Sequence, residues 1–539
     1  MIKDDLWWKG AVIYQIYPRS FYDGNNDGIG DLKGVTAKID YLASLGIDAI
    51  WLSPIFKSPM KDFGYDVSDY RDIDPLFGSI DDFKAMLDKA HSKNIKVLLD
   101  FVPSHTSDKH PWFEESRQSR DNPKSDWYMW ADAKDDGTPP NNWMSIFGGV
   151  AWEWDSRRRQ YYLHNFLKEQ PDLNWNNPEV VETMLSEMEF WLKLGVDGFR
   201  LDVISFCIND KELRDNPPYG KEKIKTFSGQ FADNPYYYQK HIYDNNRPEM
   251  IAILNKIRKL VDSYGANMTV GEISSDDPIK TAAEYCKGKD RLHMGYNFEL
   301  LSADLSTRHI QKTVERLESL IEDGWPCWSF SNHDTVRVRT RWGKGVNHKD
   351  FSKVINALLL SLRGTVCVYQ GDELGIPQAF VPYERLQDPY GITFWPAETG
   401  RDGCRTPLPW SDQKSYNGFS MIDPWLPAIE EHKPLAVNIQ EEQKTSILNH
   451  FRQFLKRRNE FKAMRNGEIE FFDAPKDCLI FARVKEDEKI LTVFNLSSDD
   501  VKINLPKEVE ALSGFGFDAA LESSNTVNMP AWSAFFGKF

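Results

Sequence analysis

The sequence predicts an α/β fold: a (β/α)8 TIM barrel with an inserted subdomain after the third strand and a C-terminal antiparallel β domain. Three observations carry this expectation. Short β-rich runs alternate with longer amphipathic stretches, as in βα units around a parallel sheet. The alternation breaks once, from His105 to about Trp175, and gives way to alternating strands near Phe461. The 539 residues also exceed what one ordinary core holds, so a large domain with smaller companions is expected.

The strand candidates are residues 12–17, 49–52, 97–101, 198–202, 268–272, 295–298, 327–331 and 366–369. Eight parallel strands are the number that closes a barrel. Helices are expected at 32–45, 80–93, 180–194, 249–264, 310–322 and 351–362. In 180–194, Met184, Met188, Trp191 and Leu192 recur at helical spacing, which suits packing on a sheet. Residues 105–175 are rich in Trp, Asn, Asp and Pro and carry a strand-like piece at 161–165. Excursions that long are usually functional, so a subdomain over the barrel mouth is expected. Beyond 461, the runs CLIFARV, KILTVFNL and VKINLP, with a turn at 497–500, suggest hairpins. The barrel is thus assigned residues 1–104 and 176–460, the insertion 105–175 and the β domain 461–539.

Composition narrows the function. A formal net charge of -15 argues against nucleic acid and anionic membrane surfaces, which need clustered cations. No run approaches the ~20 apolar residues of a membrane span. The opening MIKDDLWWKG carries Asp4 and Asp5 and no apolar run, so the chain reads as cytoplasmic. The cysteines are scattered without a C-x-x-C pair, which indicates neither zinc nor a disulfide framework. The 18 Trp, 21 Tyr and 32 Phe suit either a large core or a pocket that stacks on sugar rings.

Three carboxylates each follow an apolar run: Asp202 in GFRLDVIS, Glu272 in MTVGEIS and Asp334 in FSNHDTVR. At the C-terminal rim of a parallel barrel such residues can meet over one pocket. Breaking a glycosidic bond needs one carboxylic acid to protonate the leaving oxygen and a second carboxylate at the sugar carbon. Arg200 lies two residues before Asp202, on the same side of its strand, where a cation favours the ionised carboxylate.

DFVPSH (100–105), GFRLDV (198–203), GE (271–272) and SNHD (331–334) resemble the four ordered sequence blocks of the α-amylase superfamily, family 13 of the glycoside hydrolases. VIYQIYPRSF, WLSPIFKSP, FGYDVSDY and GRDGCRTPLPW extend the likeness to its α-glucosidase and oligo-1,6-glucosidase branch, from about residue 7 to 425. The resemblance implies a retaining exo-acting α-glucosidase for short oligosaccharides or α-glucosides, with transglucosylation and no organic cofactor. It implies Asp202 as nucleophile, Glu272 as general acid/base and Asp334 as the third carboxylate, on sugar hydroxyls. His105 and His333 resemble hydroxyl ligands of the innermost sugar. Asp62 and Arg401 resemble a pair that closes the pocket behind a terminal glucose, with Tyr65 stacking on that ring and Arg405 as the alternative to Arg401. Val203 resembles the valine of α-1,6-active members. Sucrose isomerases and trehalose synthases share these blocks. Non-catalytic amylase-like transporter subunits are set aside, because those are membrane-anchored and have lost catalytic carboxylates.

DGNNDGIGD places oxygen ligands at alternate positions: Asp23, Asn25, Asp27, the carbonyl of Ile29, and Asp31. Hard cations favour such oxygens, although the twelfth position is Gly34 and not the Glu of an EF-hand. The branch often holds Ca²⁺ or Mg²⁺ here, so a structural metal is expected.

Overall fold

The computed structural model describes residues 6–220, 234–265, 267–301, 304–346 and 348–539. Its centre is a closed barrel of eight parallel strands. They are β1 (Val12–Ile16), β2 (Ala49–Leu52), β3 (Lys96–Phe101), β4 (Gly198–Leu201), β5 (Met268–Ile273), β6 (Met294–Asn297), β7 (Trp325–Trp328) and β8 (Thr365–Tyr369). Neighbours pair in sequence order, and β1 closes the ring on β8 with Val12 opposite Val366. Ile13, Ala49, Trp51, Leu98, Met268, Val270, Met294 and Tyr296 fill the interior. Gly198 opens β4 at φ 147°, and a Cβ there would lie 2.0 Å from the Met268 carbonyl oxygen. Only glycine permits that approach to β5.

All eight expected strands form, with two shifts that matter for the site. Strand β7 lies earlier than the expected 327–331, because Ser329 ties it off: its hydroxyl donates to the Ser331 carbonyl at 2.5 Å. A serine that bonds nearby backbone competes with the ladder. Asp334 therefore sits on a loop beyond the strand, while Glu272 lies inside β5 rather than just past it. The expected helix 32–45 is two helices, Leu32–Ala37 and Ile39–Leu45, broken at Lys38 (φ -103°, ψ 5°). A helix at Pro278–Cys286 was not expected. Its nine residues, with alanines at 282 and 283, give little periodicity, and the Asp277 cap starts it.

Between β3 and the helix Pro178–Leu194, the strands Trp130–Ala131, Trp152–Asp155 and Gln160–Leu163 make a small antiparallel sheet. Bridges from His105 to Asp172 and from Tyr128 to Leu173 tie this excursion to the end of β3. The aromatic excess serves mainly the core: Trp51, Trp143, Trp152, Trp191 and Trp328 are fully buried.

The C-terminal strands are β9 (Glu468–Phe472), β10 (Cys478–Lys485), β11 (Glu488–Asn495), β12 (Val501–Asn504), β13 (Glu510–Ala511), β14 (Ala520–Ser523), β15 (Thr526–Met529) and β16 (Ser533–Lys538). They build two antiparallel sheets, ordered β9-β10-β11-β16-β13 and β12-β15-β14. The turn at 497–500 is therefore not a hairpin between β11 and β12. Asn495 holds it, donating to the Asp499 and Pro530 carbonyls, and it passes the chain from one sheet to the other.

Candidate active site

Over the C-terminal rim lies a pocket of about 920 Å³, its open mouth included. It brings together Asp202, Glu272 and Asp334, and with them Asp62, Tyr65, His105 and Arg401. Phe147, Phe166, Val203, Phe206, Phe298 and Tyr390 make the apolar part of its wall. Among the described residues, no tryptophan lines it.

Arg200 projects inward from β4 and lies over Trp51, its guanidinium carbon 4.9 Å from the ring centre. One Nη donates to Asp202 Oδ1 at 2.5 Å and to Asp100 Oδ1 at 2.8 Å. The other donates to Glu272 Oε2 at 2.6 Å. Asp202 and Glu272 thus hang from different nitrogens of one guanidinium. Asp100 is completed by the Trp51 indole N–H at 3.0 Å and the Tyr65 hydroxyl at 3.1 Å.

Burial of carboxyls around a single cation works against their ionisation. Burial pushes the Asp202 carboxyl well above the usual range; Arg200 opposes this, and charge on Glu272 and Asp100 adds to it. Asp100 is likewise pushed up by burial, to about 6, against Arg200. Arg200 lowers the carboxyl of Asp202 as expected, but desolvation outweighs it.

Asp334 has the opposite balance. Burial would raise it, but His333, Arg405 and Arg401 outweigh burial and hold it below the ordinary carboxylate range. Burial keeps His333 itself neutral, since its pKa falls well below the usual value. Its contribution to Asp334 is therefore a hydrogen bond at 3.2 Å, and the charge balance comes from the two arginines. With the Gln15 amide donating to His333 Nδ1 at 2.7 Å, the ring proton sits on Nε2, facing Asp334 and the Tyr65 hydroxyl. Tyr65 stacks on His333 at 5.5 Å, so one of its faces is already covered.

Part of the pocket lining is an ion-pair cluster. Arg401 donates to Asp62 Oδ1 at 2.7 Å, to Asp388 Oδ1 at 2.7 Å and to Asp334 Oδ1 at 3.3 Å. Arg405 instead holds Asp334 at 2.8 Å and the His333 carbonyl at 2.7 Å. The pairing expected of Arg401 with Asp62 is the one the fold makes. Gln170 adds a donor 3.3 Å from Asp62 Oδ2 and 3.1 Å from His105 Nε2. Burial brings His105 down to about 3, so it is neutral.

Asp100, Gln15, Gln170 and Asp388 are site residues that sequence reasoning did not single out. Asp100 ends the apolar run of β3 as Asp202 ends that of β4, a parallel that could have found it. The other three carry no periodic signal. Loops 206–243 and 382–400 are expected to complete the acceptor side; Phe206 and Tyr390 from them line the pocket, and residues 221–233 lie outside the described residues.

The loop of residues 23–31 lies apart from the pocket lining. Asp23 accepts the amides of Asn26 (2.6 Å) and Gly28 (2.8 Å), and Asp27 accepts that of Ile29 (2.9 Å), so the turn is shaped by its own acidic side chains. Asn25 donates to Asp27 at 2.9 Å. Asp31 caps the next helix through Gly34 N at 2.6 Å, while its Oδ2 is buried without a hydrogen-bond partner. A Cβ at Gly34 would lie 1.8 Å from the Tyr22 carbonyl oxygen, which explains why no glutamate occupies the twelfth position. Among the described residues, no three Asp, Glu, His or Cys side chains gather closely enough to hold a metal between them.

A (β/α)8 barrel with two carboxyls on one guanidinium at the wall of a rim pocket has the layout of a glycoside hydrolase. The chain belongs to the α-amylase family: the family profile of the alpha amylase catalytic domain matches residues 15–467. It is 52% identical to a probable alpha-glucosidase of Rhizobium meliloti (strain 1021), over 99% of this chain and 97% of that one. It is 38% identical to an oligo-1,6-glucosidase of Heyndrickxia coagulans, over 93% and 94% of the two chains. Among solved structures, the α-glucosyl transfer enzyme XgtA superposes with a TM-score of 0.96 at 52% identity, covering 99% of each chain. The trehalulose synthase MutB from Pseudomonas mesoacidophila MX-45 gives 0.89 at 30% identity, again over 99% of each.

Proposed function

We propose that the protein is a retaining, exo-acting α-glucosidase that releases terminal glucose from short oligosaccharides or α-glucosides and passes glucosyl groups to acceptor alcohols. The observation that carries the proposal is the placement of Asp202 and Glu272 on different nitrogens of Arg200. That spacing favours the ~5–5.5 Å carboxyl separation of retaining enzymes and leaves little room for the water an inverting enzyme holds between carboxyls ~6.5–9.5 Å apart. Glu272 gives its proton to the glycosidic oxygen as the C1–O bond breaks, and Asp202 bonds to C1. Glu272 then takes a proton from water or an acceptor alcohol, whose oxygen displaces Asp202. Asp334, held ionised, binds sugar hydroxyls beside His105 and His333, and the Asp62–Arg401 pair stops the terminal ring.

The α-glucosidase and oligo-1,6-glucosidase relatives support hydrolysis. The likeness to a glucosyl-transfer enzyme supports transfer as a partial outcome, since an acceptor packed against Phe166 and Phe206 competes with water. NMR of the first-formed anomer tests the mechanism: α-glucose is expected from an α-glucoside, and β-glucose first would sink retention. On starch the enzyme should leave viscosity nearly unchanged, because the closed end admits only chain termini. Val203, on the pocket wall after the nucleophile, supports acceptance of α-1,6 linkages. Isomaltose should then be cleaved at least as well as maltose, and maltose cleavage with isomaltose untouched would reject this.

The 23–31 loop fits a structural Ca²⁺ or Mg²⁺. Its alternate oxygens supply a hard donor set, and the unpartnered Asp31 Oδ2 is a vacant acceptor for a cation. Burial raises the Asp31 carboxyl against the Gly34 amide, and Asp23 and Asp27 add to the rise, a balance that a cation would reverse. Asp23, Asn25, Asp27, the Ile29 carbonyl and Asp31 would hold the ion after drawing together around it, since the carboxylates stand too far apart to share one as placed, and the ion would stabilise the fold without entering the chemistry. At a hundredfold excess over Kd such an ion adds ~2.7 kcal/mol to stability. Chelator should therefore lower the melting temperature and leave initial rates at low temperature intact; unchanged melting together with a metal-free elemental analysis would overturn the site. A cytoplasmic location is supported by six cysteines that are all free, including Cys327 and Cys367 with sulfurs 3.6 Å apart. No helix among the described residues is long and apolar enough to cross a membrane.

A further inference from the structure

Directly after the nucleophile, Val203 sits in the left-handed region, at φ 34° and ψ 44°. Branched side chains avoid this region, and such strain persists only where the surroundings impose it. The surroundings here are an apolar cluster that Val203 shares with Phe147, Phe166, Phe206 and Tyr390. The turn aims the Val203 N–H at Glu272 Oε2, 3.0 Å away. The same oxygen already accepts Arg200 Nη2 at 2.6 Å. An oxygen that takes two donors, one of them cationic, has no room for a hydrogen of its own, which would point into an N–H.

We infer that the left-handed backbone of Val203 confines the acid proton of Glu272 to Oε1. The inference rests on Glu272 being the acid/base of the proposed function. Val203 is then a positioning residue that acts through its amide. From Oε1 the proton passes to the glycosidic oxygen, which keeps the electron pair of the breaking C1–O bond while Asp202 bonds to C1. Without the amide, the proton can settle on Oε2 when Arg200 shifts, and a Glu272 so protonated cannot deliver it to the leaving group.

The test replaces the amide and leaves the side chain. Incorporating α-hydroxyisovaleric acid at position 203 keeps the isopropyl group and turns the N–H into an ester oxygen. Two substrates separate the outcomes: methyl α-glucoside, whose leaving group needs the proton, and 4-nitrophenyl α-glucoside, whose leaving group departs without it. A hydrogen bond to a charged group predicts a loss of kcat of about tenfold or more on the methyl glucoside. The nitrophenyl substrate should lose less than about threefold by the same reasoning. Equal losses on both substrates would mean a structural role only, and no loss on either would remove the amide from the mechanism. Either result overturns the inference.

Glu272→Gln separates this from the underlying reading. If that variant keeps its rate on methyl α-glucoside, Glu272 is not the acid. If it is inactive while the ester enzyme behaves as wild type, only the role of Val203 fails. Neutron diffraction on deuterium-exchanged crystals gives an independent check, with deuterium expected on Oε1 and a deuterium on Oε2 contradicting the inference.

Discussion

Asp202→Asn should lower kcat by about 10⁴-fold or more, since removing a nucleophile leaves only binding and electrostatic help. The amide has nearly the same volume and can still accept from Arg200, so the fold should survive. Stability should even hold or rise slightly. The wild-type side chain sits where burial works against its charge, and a neutral group escapes that cost. Turnover of an aryl α-glucoside, read beside a melting curve, checks both halves. Ordinary activity in a folded variant would mean that the nucleophile lies elsewhere. Asp202→Ala should add a positive signature. With azide supplied, the space left on the β face admits the anion, and β-glucosyl azide should accumulate; the α-azide would contradict the assignment.

Arg200→Gln should be the most destabilising single change at the site. Removing the cation leaves Asp100, Asp202 and Glu272 buried without their common partner, and breaking a buried pair costs about 3–5 kcal/mol. The pH dependence fixes the cause. Asp100 and Asp202 already have folded-state values above those of unfolded aspartate, and losing Arg200 raises them further. A carboxyl raised on folding contributes stability that is present below its unfolded value, near 3.9, and lost as pH climbs through the folded one. The deficit relative to wild type should therefore be small near pH 4 and grow toward pH 8. Urea midpoints across that range measure it. A deficit that stays constant with pH would show that lost packing on Trp51, and not uncompensated charge, is what the substitution costs.

The barrel was legible because buried parallel strands are nearly continuous apolar runs, and all eight appeared as such. The carboxylates could be read with them, since a polar residue ending such a run is conspicuous. The failures share a cause. Strand β7 stops early because a serine hydroxyl takes over the backbone, and the 497–500 turn changes sheets because an asparagine holds distant carbonyls. Neither event leaves a mark in hydrophobic periodicity. Gln170 escaped notice because its site partners Asp62 and His105 are remote in sequence, and Asp388 because it sits in an irregular loop beside Arg401 with no apolar run to mark it. The balance of charge around Arg200 could not be read either. A cation beside a carboxylate lowers it in water, but the outcome here turns on how completely the barrel excludes water from three of them.

The seam of the barrel has a consequence for folding. The ring closes where β1 meets β8, and several contacts of the pocket straddle that closure: Gln15 with His333, Tyr65 with His333, and Asp62 with Arg401 across 339 positions. Contacts so far apart in sequence form only after the chain has met the entropy of closing very large loops. A barrel with its seam unzipped can hold the Arg200 cluster, whose members come from neighbouring strands β3, β4 and β5, yet it has no floor for a sugar ring. Chemistry and recognition thus mature at different stages of assembly. A sugar analogue that fills the pocket binds only the finished ring, so it draws the last and slowest contacts toward completion and acts as a pharmacological chaperone for the whole barrel.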